Sequence, residues 1–363
     1  MELESRRRGF LRTAAIGATA PIVSSAWQQR SPSDTVNVNL RRSWMAPVLI
    51  TLMAIPLAAQ VKITRAQSGT IAVEIGGKPY TDFYLAQDGN KPYFYPLRTA
   101  SGIIVTRHYP MENVEGETHD HPHHRGLFFA HGLVNGTDFW ATEPDSKDPR
   151  KGRMALDKVL QMKSGKSSGA IQVTFDGFDA AGKPLMKETR TIVFYCDPEL
   201  RVIDYEVVIE SGQRLVFGDT KEGTFGIRLA TDLSEDRTGR MVNAQAQETE
   251  KNVWGKRSDW VDYYGKVDGK QVGVAIMDHP SNPRHPTFWH ARAYGLFAAN
   301  PFGLKDFTGD KTQDGSFTLE AGQPLRFRYR VVIHPGDAAS AKIAGLYQKY
   351  AAERGPLAGR GSM

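Results

Sequence analysis

Short β-branched and aromatic runs separated by turn signals constrain the fold of this chain more than any other feature. In residues 202–209, Ile203, Tyr205 and Val207 alternate with acidic side chains, so one face of that strand is expected to be core. Residues 325–334 alternate in the same way, and three arginines fall on the face expected to meet solvent. The recurring pattern predicts an all-β protein, a large sandwich or barrel.

Turn signals and one helical period predict the order of several elements. The runs at 171–175, 189–195 and 202–209 are joined by turn residues, which predicts a meander of three strands. Helix signals are scarce until the end of the chain, where Asp337 can cap a helix over residues 338–353. We therefore expect a β-sandwich that carries one C-terminal helix.

Two export signals in tandem are predicted at the N-terminus. Residues 1–26 carry the twin arginines Arg7 and Arg8 ahead of a weakly apolar stretch and a small-residue cleavage site, the pattern of a Tat signal. Residues 27–59 contain a linker and a second, Sec-like signal that ends at Ala59. Either signal would export the protein, so we expect a bacterial periplasmic or extracellular location with the signal removed.

Most of the net charge belongs to this leader. The full chain of 363 residues carries 46 Lys and Arg against 40 Asp and Glu, whereas residues 60–363 carry 39 against 37. A nearly neutral domain without basic, aromatic-rich patches argues against nucleic acid as a partner. The apolar stretch 45–59 is shorter than the roughly 20 residues of a spanning helix, so no membrane span is expected in the mature protein. We find no linker after residue 60 and expect a single domain over 60–363.

Histidine placement is the strongest chemical signal in the sequence. Eight of the ten histidines lie in two segments, 119–132 and 278–290, which are also rich in proline and are therefore expected to form loops or strand ends. Imidazole exchanges protons near neutral pH, and alternate histidines in an extended segment share one face, as metal ligands require. A network of satisfied, purely structural hydrogen bonds is the alternative.

A third segment, residues 217–227, adds carboxylates. Asp219, Lys221 and Glu222 lie between glycines just before a predicted strand, so they could supply a base opposite a histidine acid; a charged β-turn is the alternative. Several tryptophans lie close to these polar segments. Aromatic faces beside hydrogen-bonding groups suit sugar rings, although core packing explains each tryptophan equally well.

The blocks at 119–132, 217–227, 278–286, 294–303 and 327–336 resemble, in order, the bacterial family labelled PmoA-like, or methane oxygenase PmoA. That resemblance covers about residues 60–350 and implies a galactose-mutarotase-like β-supersandwich. His131 and Gly132, followed by Gly136 to Trp140, are also similar to a short pattern of aldose epimerases. Those enzymes open and reclose a sugar ring with a histidine acid and a glutamate base.

The leading hypothesis from the sequence is an exported enzyme that acts on a sugar or glycoside by acid–base chemistry, of the epimerase, isomerase, hydrolase or lyase type. Its expected catalytic residues are His124, His131, Glu222 and Asp219. Its expected substrate-binding residues are Arg125, Trp140, Lys221, Arg284, Trp289 and Asn300.

Two other hypotheses stay open. The first is a metal-dependent enzyme, which would include the oxygenase label, with a divalent metal as its cofactor and His119, His121, His123, His279 and His285 as ligands. The second is a carbohydrate-binding protein without catalysis. Convergence of both histidine segments with residues 219–222 in one place would favour a functional site.

Overall fold

Two large antiparallel sheets organise the protein. The computed structural model describes residues 60–87, 91–143, 146–354 and 357, and the predicted signals within residues 1–59 lie outside these ranges. The strands, numbered along the chain, are β1 (Val61–Arg65), β2 (Ile71–Ile75), β3 (Lys78–Tyr84), β4 (Tyr93–Tyr95), β5 (Leu127–His131), β6 (Arg153–Lys163), β7 (Ser168–Phe178), β8 (Pro184–Cys196), β9 (Arg201–Glu210), β10 (Leu215–Phe217), β11 (Gly223–Arg228), β12 (Arg240–Asn243), β13 (Arg257–Ser258), β14 (Trp260–Val267), β15 (Lys270–Asp278), β16 (Thr287–Arg292), β17 (Leu296–Asn300), β18 (Phe317–Leu319) and β19 (Leu325–Pro335). The helices are α1 (Glu250–Val253), α2 (Leu304–Thr308), α3 (Ile343–Ala352) and a 3₁₀ turn at Thr231–Leu233.

One sheet has nine strands in the order β1-β2-β3-β4-β5-β11-β17-β16-β13, and the other has eight in the order β12-β14-β15-β19-β9-β8-β7-β6. Strands β10 and β18 form a separate pair. The neighbours β7, β8 and β9 are the predicted meander. The all-β sandwich predicted from strand periodicity is therefore confirmed.

Aromatic rings fill the space between the two sheets. Phe225 of the nine-stranded sheet stacks on Tyr329 of the eight-stranded sheet, with ring centroids 4.5 Å apart, and Phe129 lies 5.4 Å from Phe327. All four rings are buried. Alternate residues of each strand consequently point inward to this core, and the residues between them point to the two outer faces.

The outer face of the eight-stranded sheet is covered by α3. Ile343 and Tyr350 of the helix pack with Ala275, Met277 and Val332 in a second apolar cluster. The helix begins at Ile343 and not at the predicted residue 338, because the Asp337 carboxylate accepts the Ser340 backbone N–H at 2.8 Å and caps an isolated turn instead.

The arginine face of β19 also differs from its prediction. Arg326 is exposed, as expected, but Arg328 is only 4% exposed. Arg330 is paired with Asp204 at 2.6 Å and with Glu353, next to the end of α3, at 2.9 Å. The prediction of a solvated face is therefore wrong for Arg328 and Arg330, since the C-terminal segment packs over them.

The outer face of the nine-stranded sheet contains two small residues at its centre. Gly226 of β11 lies between Phe128 of β5 and Ala298 of β17. A Cβ atom at position 226 would lie 3.0 Å from the Cβ of Ala298 and 3.4 Å from the indole of Trp140. The glycine thus leaves room for the edge of the Trp140 ring, from the segment after β5, to approach the sheet.

The sheet edges are short or irregular. Strand β13 consists of Arg257 and Ser258 alone, while the 11-residue β6 has two register shifts, between Leu156 and Lys158 and between Val159 and Gln161. No helix in the described part of the chain combines the length and apolar character of a membrane span.

Candidate functional site

The outer face of the nine-stranded sheet gathers titratable and aromatic side chains from distant parts of the chain. We call this group the outer-face cluster. Its members, linked by the ring contacts, hydrogen bonds and electrostatic interactions described below, are Lys91, His121, His123, His124, Trp140, Glu143, Lys221, Glu222, Arg228, Trp254, His290 and Tyr294.

His124 occupies a buried position in the cluster. Its ring lies between His121, 4.9 Å away and parallel, and Phe128, 6.2 Å away, with the edge of Trp140 at 5.6 Å. The side chain is 1% exposed, and within the described residues neither ring nitrogen has a hydrogen-bond partner. Burial, aided by the nearby charge of His123, holds the pKa of His124 well below its usual value. His124 is therefore a neutral imidazole with unused donor and acceptor capacity.

Glu222 and His290 form the second part of the cluster. The Nδ1–H of His290 donates to the carbonyl oxygen of Lys221 at 2.9 Å, which leaves Nε2 as the unprotonated nitrogen. Burial lowers the pKa of His290 to about 4, against the opposing charge of Glu222. Burial alone would raise the pKa of Glu222, but His290 and the Lys221 ammonium, 2.5 Å away, outweigh it and keep that pKa below its usual value. Glu222, whose side chain is 32% exposed, is thus an accessible carboxylate.

His123 and Lys91 form the third part. His123 Nδ1 lies 2.5 Å from Glu143 Oε1, and this hydrogen bond overcomes the effect of burial and lowers the pKa of Glu143 to about 2. Lys91 is 1% exposed, donates to the carbonyl oxygen of Trp140 and lies 4.4 Å from the centre of the Phe128 ring. Burial lowers the pKa of Lys91 to about 7, although Glu143 acts in the opposite direction. A buried amine whose pKa is near neutral pH therefore lies among the histidines.

Aromatic rings border these polar groups. Trp140 lies parallel to His290 at 6.3 Å, and Trp254 meets the same imidazole edge-on at 5.0 Å. Tyr294, on the turn between β16 and β17, stacks on His121 at 5.1 Å. The arrangement offers apolar ring faces next to hydrogen-bonding edges, the combination expected of a site for a polyhydroxylated ring.

Several predicted site residues meet in this cluster. His124, Glu222, Lys221 and Trp140 are members. Two predicted metal ligands, His121 and His123, are members as well, but with other partners: His121 Nδ1 is bound to Asp120 at 2.6 Å, and His123 is bound to Glu143. Arg125 lies at the border, where its charge contributes to the lowered pKa of Lys91.

Two of the expected catalytic residues have structural environments instead. His131 is buried on the core side, where its Nε2 lies 2.8 Å from the carbonyl oxygen of Gly218, and burial lowers its pKa to about 4. The Asp219 carboxylate accepts the backbone N–H groups of Lys305 and Gly315. Asp219 therefore ties the segment before β11 to α2 and the loop after it.

Three expected substrate-binding residues also serve the scaffold. Arg284 donates to backbone carbonyls of the segments around α2. Asn300 donates to the carbonyl oxygen of Thr220 at 2.9 Å. Trp289 is fully buried and donates to the carbonyl oxygen of Ser258 at 2.9 Å. It lies next to His290 in the same strand, so strand alternation points it to the opposite, core face.

The remaining metal candidates are dispersed. His119 stacks on Tyr109 at 4.4 Å. His279 lies 3.1 Å from the carbonyl oxygen of Glu353, and His285 lies 2.7 Å from Asp278 Oδ2, both near α3. Within the ranges that the structure describes, no three His, Cys, Asp or Glu side chains are grouped as a metal site would need. The five candidates do not converge.

Sequence reasoning missed four members of the cluster and left one without a role. Lys91, Glu143, Arg228 and Tyr294 carry no local pattern, because only the pairing of β5, β11, β17 and β16 brings them together. His290 was within the second histidine segment, and a signal for it did exist. Its position alternates with the apolar Trp289 and Ala291, which places it on the outer face.

A family model matches residues 70–348, and its description is "Family of unknown function (DUF6807)". The chain belongs to this family. No curated protein matches this DUF6807 member in sequence. The PmoA-like label drawn from the sequence blocks stays a prediction.

Among solved structures, this DUF6807 protein is similar to a galactose mutarotase-like protein from Clostridium acetobutylicum, with 11% identity, a TM-score of 0.39 and coverage of 77% of this chain and 99% of the other. A galactose mutarotase related enzyme from Lactobacillus acidophilus has 11% identity and a TM-score of 0.32 over 76% and 97% of the two chains. A GH36 alpha-galactosidase, AgaA from Geobacillus stearothermophilus, has 12% identity and a TM-score of 0.32 over 77% of this chain but only 40% of its own. The chain thus spans about two-fifths of the galactosidases it matches.

Proposed function

We propose that the outer-face cluster is the active site of an exported enzyme that converts a sugar or glycoside by acid–base chemistry. One observation carries the proposal: an accessible carboxylate, Glu222, and a buried imidazole with two unpaired nitrogens, His124, share the outer face of one sheet between aromatic rings. Perturbed titratable groups gathered in this way are typical of catalytic sites.

Glu222 is the group suited to remove a proton. Its pKa lies below the usual value, so the carboxylate is ionised at neutral pH, and its exposed edge can reach a sugar hydroxyl or a carbon next to a carbonyl. His290 lies behind it, fixed by the hydrogen bond to Lys221, and its Nε2 can interact with the proton that Glu222 takes up. The Lys221 ammonium holds the Glu222 carboxylate in place.

His124 is the group suited to stabilise the oxygen on which negative charge develops. The neutral imidazole of His124 carries one N–H group that can donate a hydrogen bond to this oxygen. A donor held in a buried position needs little rearrangement during the reaction. Trp254, which is only partly buried, would contact the apolar face of the sugar ring, while the buried Trp140 packs against His124 and His290 beneath it.

Catalysis can be tested with the full-length protein and a panel of aldoses, glycosides and uronates, followed by proton NMR for turnover and by calorimetry for binding. We expect one class of sugar to be converted, and Glu222→Gln to lower kcat by about 10²–10⁴-fold, the usual contribution of a general base. His119→Gln is the matched control, because His119 lies in the first histidine segment but outside the cluster, and it should retain wild-type kinetics.

The other hypotheses predict different results. Binding without turnover would favour the carbohydrate-binding protein, and a stoichiometric transition metal found by elemental analysis of untagged protein would favour the metal-dependent enzyme. If no sugar in the panel is either bound or converted, the proposal is contradicted. Export is tested separately, by expressing the full chain in a bacterium and sequencing the N-terminus of the periplasmic or secreted product, which should begin at or after residue 27.

A further inference from the structure

Two buried arginines, Arg107 and the cluster member Arg228, share a single carboxylate. Arg107 Nη1 lies 2.5 Å and Arg228 Nη2 lies 2.7 Å from Asp120 Oδ1, and the two guanidinium side chains are 0% and 1% exposed. The neighbouring acid Glu117 is already bound to His108 and its backbone. Among the described ion pairs, Asp120 is the acid that Arg228 contacts, and Arg228 shares it with Arg107.

The two arginines differ in how their donors are used. Arg107 donates to a ring of backbone carbonyls, those of Tyr109, Thr118, Asp120, His121 and His124. Arg228 uses only Nη2, which donates to Asp120 and to the Thr118 hydroxyl. Its Nε and Nη1 have no hydrogen-bond partner within the described residues. Arg228 is thus the cation with donors to spare, and buried donors without partners are costly unless a ligand or water accepts from them.

Arg228 faces the outer-face cluster. It is the last residue of β11 and, two positions from Gly226, lies on the same side of the sheet as Trp140 and His290. Its guanidinium lies 4.6 Å from the centre of the Tyr294 ring, and Arg292 lies 5.7 Å from the same ring. The charge of Arg228 also contributes to the lowered pKa of His124.

We propose that Arg228 binds a carboxylate of the substrate, so that the sugar this site takes is a uronic acid or a glycoside of one. The inference rests on the proposed function, because it names the substrate class of the same cluster. An Nη1 N–H of Arg228 donates to the carboxylate, whose negative charge adds to that of Asp120, the acid that Arg228 shares with Arg107. The ring of Tyr294, next to both Arg228 and His121, then covers the bound carboxylate end.

Wild-type protein gives the first test, which needs no variant. Calorimetric titrations of the full-length protein compare glucuronate and galacturonate with glucose and galactose at low and high salt. We expect one uronate to bind about tenfold or more tightly than its neutral parent, as a charge-assisted contact at a buried arginine should provide, and this preference to shrink at high salt.

Arg228→Gln gives the second test. It should abolish the preference for the uronate over its neutral parent, because the charge-assisted contact is removed. Arg214→Gln, at an arginine that is 63% exposed on another surface, is the matched control and should bind like the wild type. Circular dichroism shows whether Arg228→Gln folds. If it does not, Arg228→Lys replaces it, and this variant should lose most of the preference because a lysine lacks the Nε and Nη1 donors.

Failure of this inference is distinguishable from failure of the proposed function. Neutral sugars bound and converted as well as or better than uronates would overturn the inference and leave the function intact. Uronate preference retained in a folded Arg228 variant would overturn it as well. If neither uronates nor neutral sugars bind, both the inference and the proposed function are refuted.

Discussion

The two histidine-rich segments of the chain are similar in composition and different in structure. In the first, His121 and His124 stack on the outer face of the nine-stranded sheet, and His123 meets both rings edge-on. His124 has no hydrogen-bond partner within the described residues. In the second, His279 and His285 have partners on both ring nitrogens. Only the last histidine of the second segment, His290, reaches the cluster. The hydrogen-bond partners of an imidazole, and not the local density of histidine, therefore distinguish a chemical role from a structural one.

The partners in the second segment belong to the packing of α3. His285 lies between Asp278, at 2.7 Å, and Asp259, at 3.4 Å, with the Tyr347 hydroxyl of α3 at 3.4 Å. His279 meets the ring of Tyr350 edge-on at 5.0 Å. These contacts anchor the helix on the eight-stranded sheet, so we assign this segment to stability.

Exchanging one histidine in each segment gives the sharpest test of this comparison. His124→Gln should lower kcat by about 10²-fold or more, since it removes the neutral imidazole at the centre of the cluster. His285→Gln, the matched variant, should leave kcat within about twofold and lower the free energy of unfolding by about 1–3 kcal/mol, because it leaves the buried Asp278 carboxylate poorly paired. Steady-state kinetics and urea unfolding measure both. Equal kinetic losses in the two variants would contradict the distinction.

Lys91, a member of the outer-face cluster, gives a test based on the pH dependence of stability. Its pKa is about 7 in the folded protein and near 10.5 in the unfolded chain, so between these values the unfolded state holds a proton that the folded state has lost. The free energy of unfolding should therefore rise as pH increases from about 7 to about 10, by an amount on the order of a few kcal/mol.

Lys91→Met should remove most of that rise, and urea unfolding at several pH values measures it. Lys187→Met is the control, since Lys187 is exposed and paired with Asp157 and Asp176. A wild-type slope that persists in Lys91→Met would show that another group titrates in this range.

Gly226→Ala has the smallest expected effect and tests the packing of Trp140 against the sheet. The new methyl group would press on the Cβ of Ala298 at 3.0 Å and on the indole at 3.4 Å. We expect a loss of about 1 kcal/mol in stability from overpacking and a rise of a few-fold in KM, with little change in kcat. Tryptophan fluorescence and kinetics measure the effect. Gly212→Ala, at a glycine with open space at its Cβ position and no left-handed φ, controls for the loss of a glycine and should leave KM unchanged.

Much of the fold was predictable because strand alternation is a local property. The pattern of Ile203, Tyr205 and Val207 identified β9 and its core face without any knowledge of its neighbours. The start of α3 was not, because Asp337 and Ser340 close a turn of their own and Lys342 adopts a left-handed conformation before Ile343.

The site was predictable only where chemistry is concentrated in the sequence. His124 and Glu222 were found because each lies in a segment rich in titratable groups. Lys91 and Arg228 were not, since they are isolated in sequence and acquire their roles from burial and from long-range strand pairing. Trp289 lies outside the cluster, which alternation could have indicated, because it precedes His290 and points to the core.

The irregular edges described above bear on colloidal behaviour. An open sheet edge exposes unpaired N–H and C=O groups to other molecules, and β13, with two residues, exposes very few. Strand β6 is long enough to pair with a second chain, but its two register shifts twist it, and Lys158 and Lys163 place charge along it. The edges at β13 and β6 therefore discourage strand addition, so edge-to-edge aggregates should not form through these two strands at high concentration.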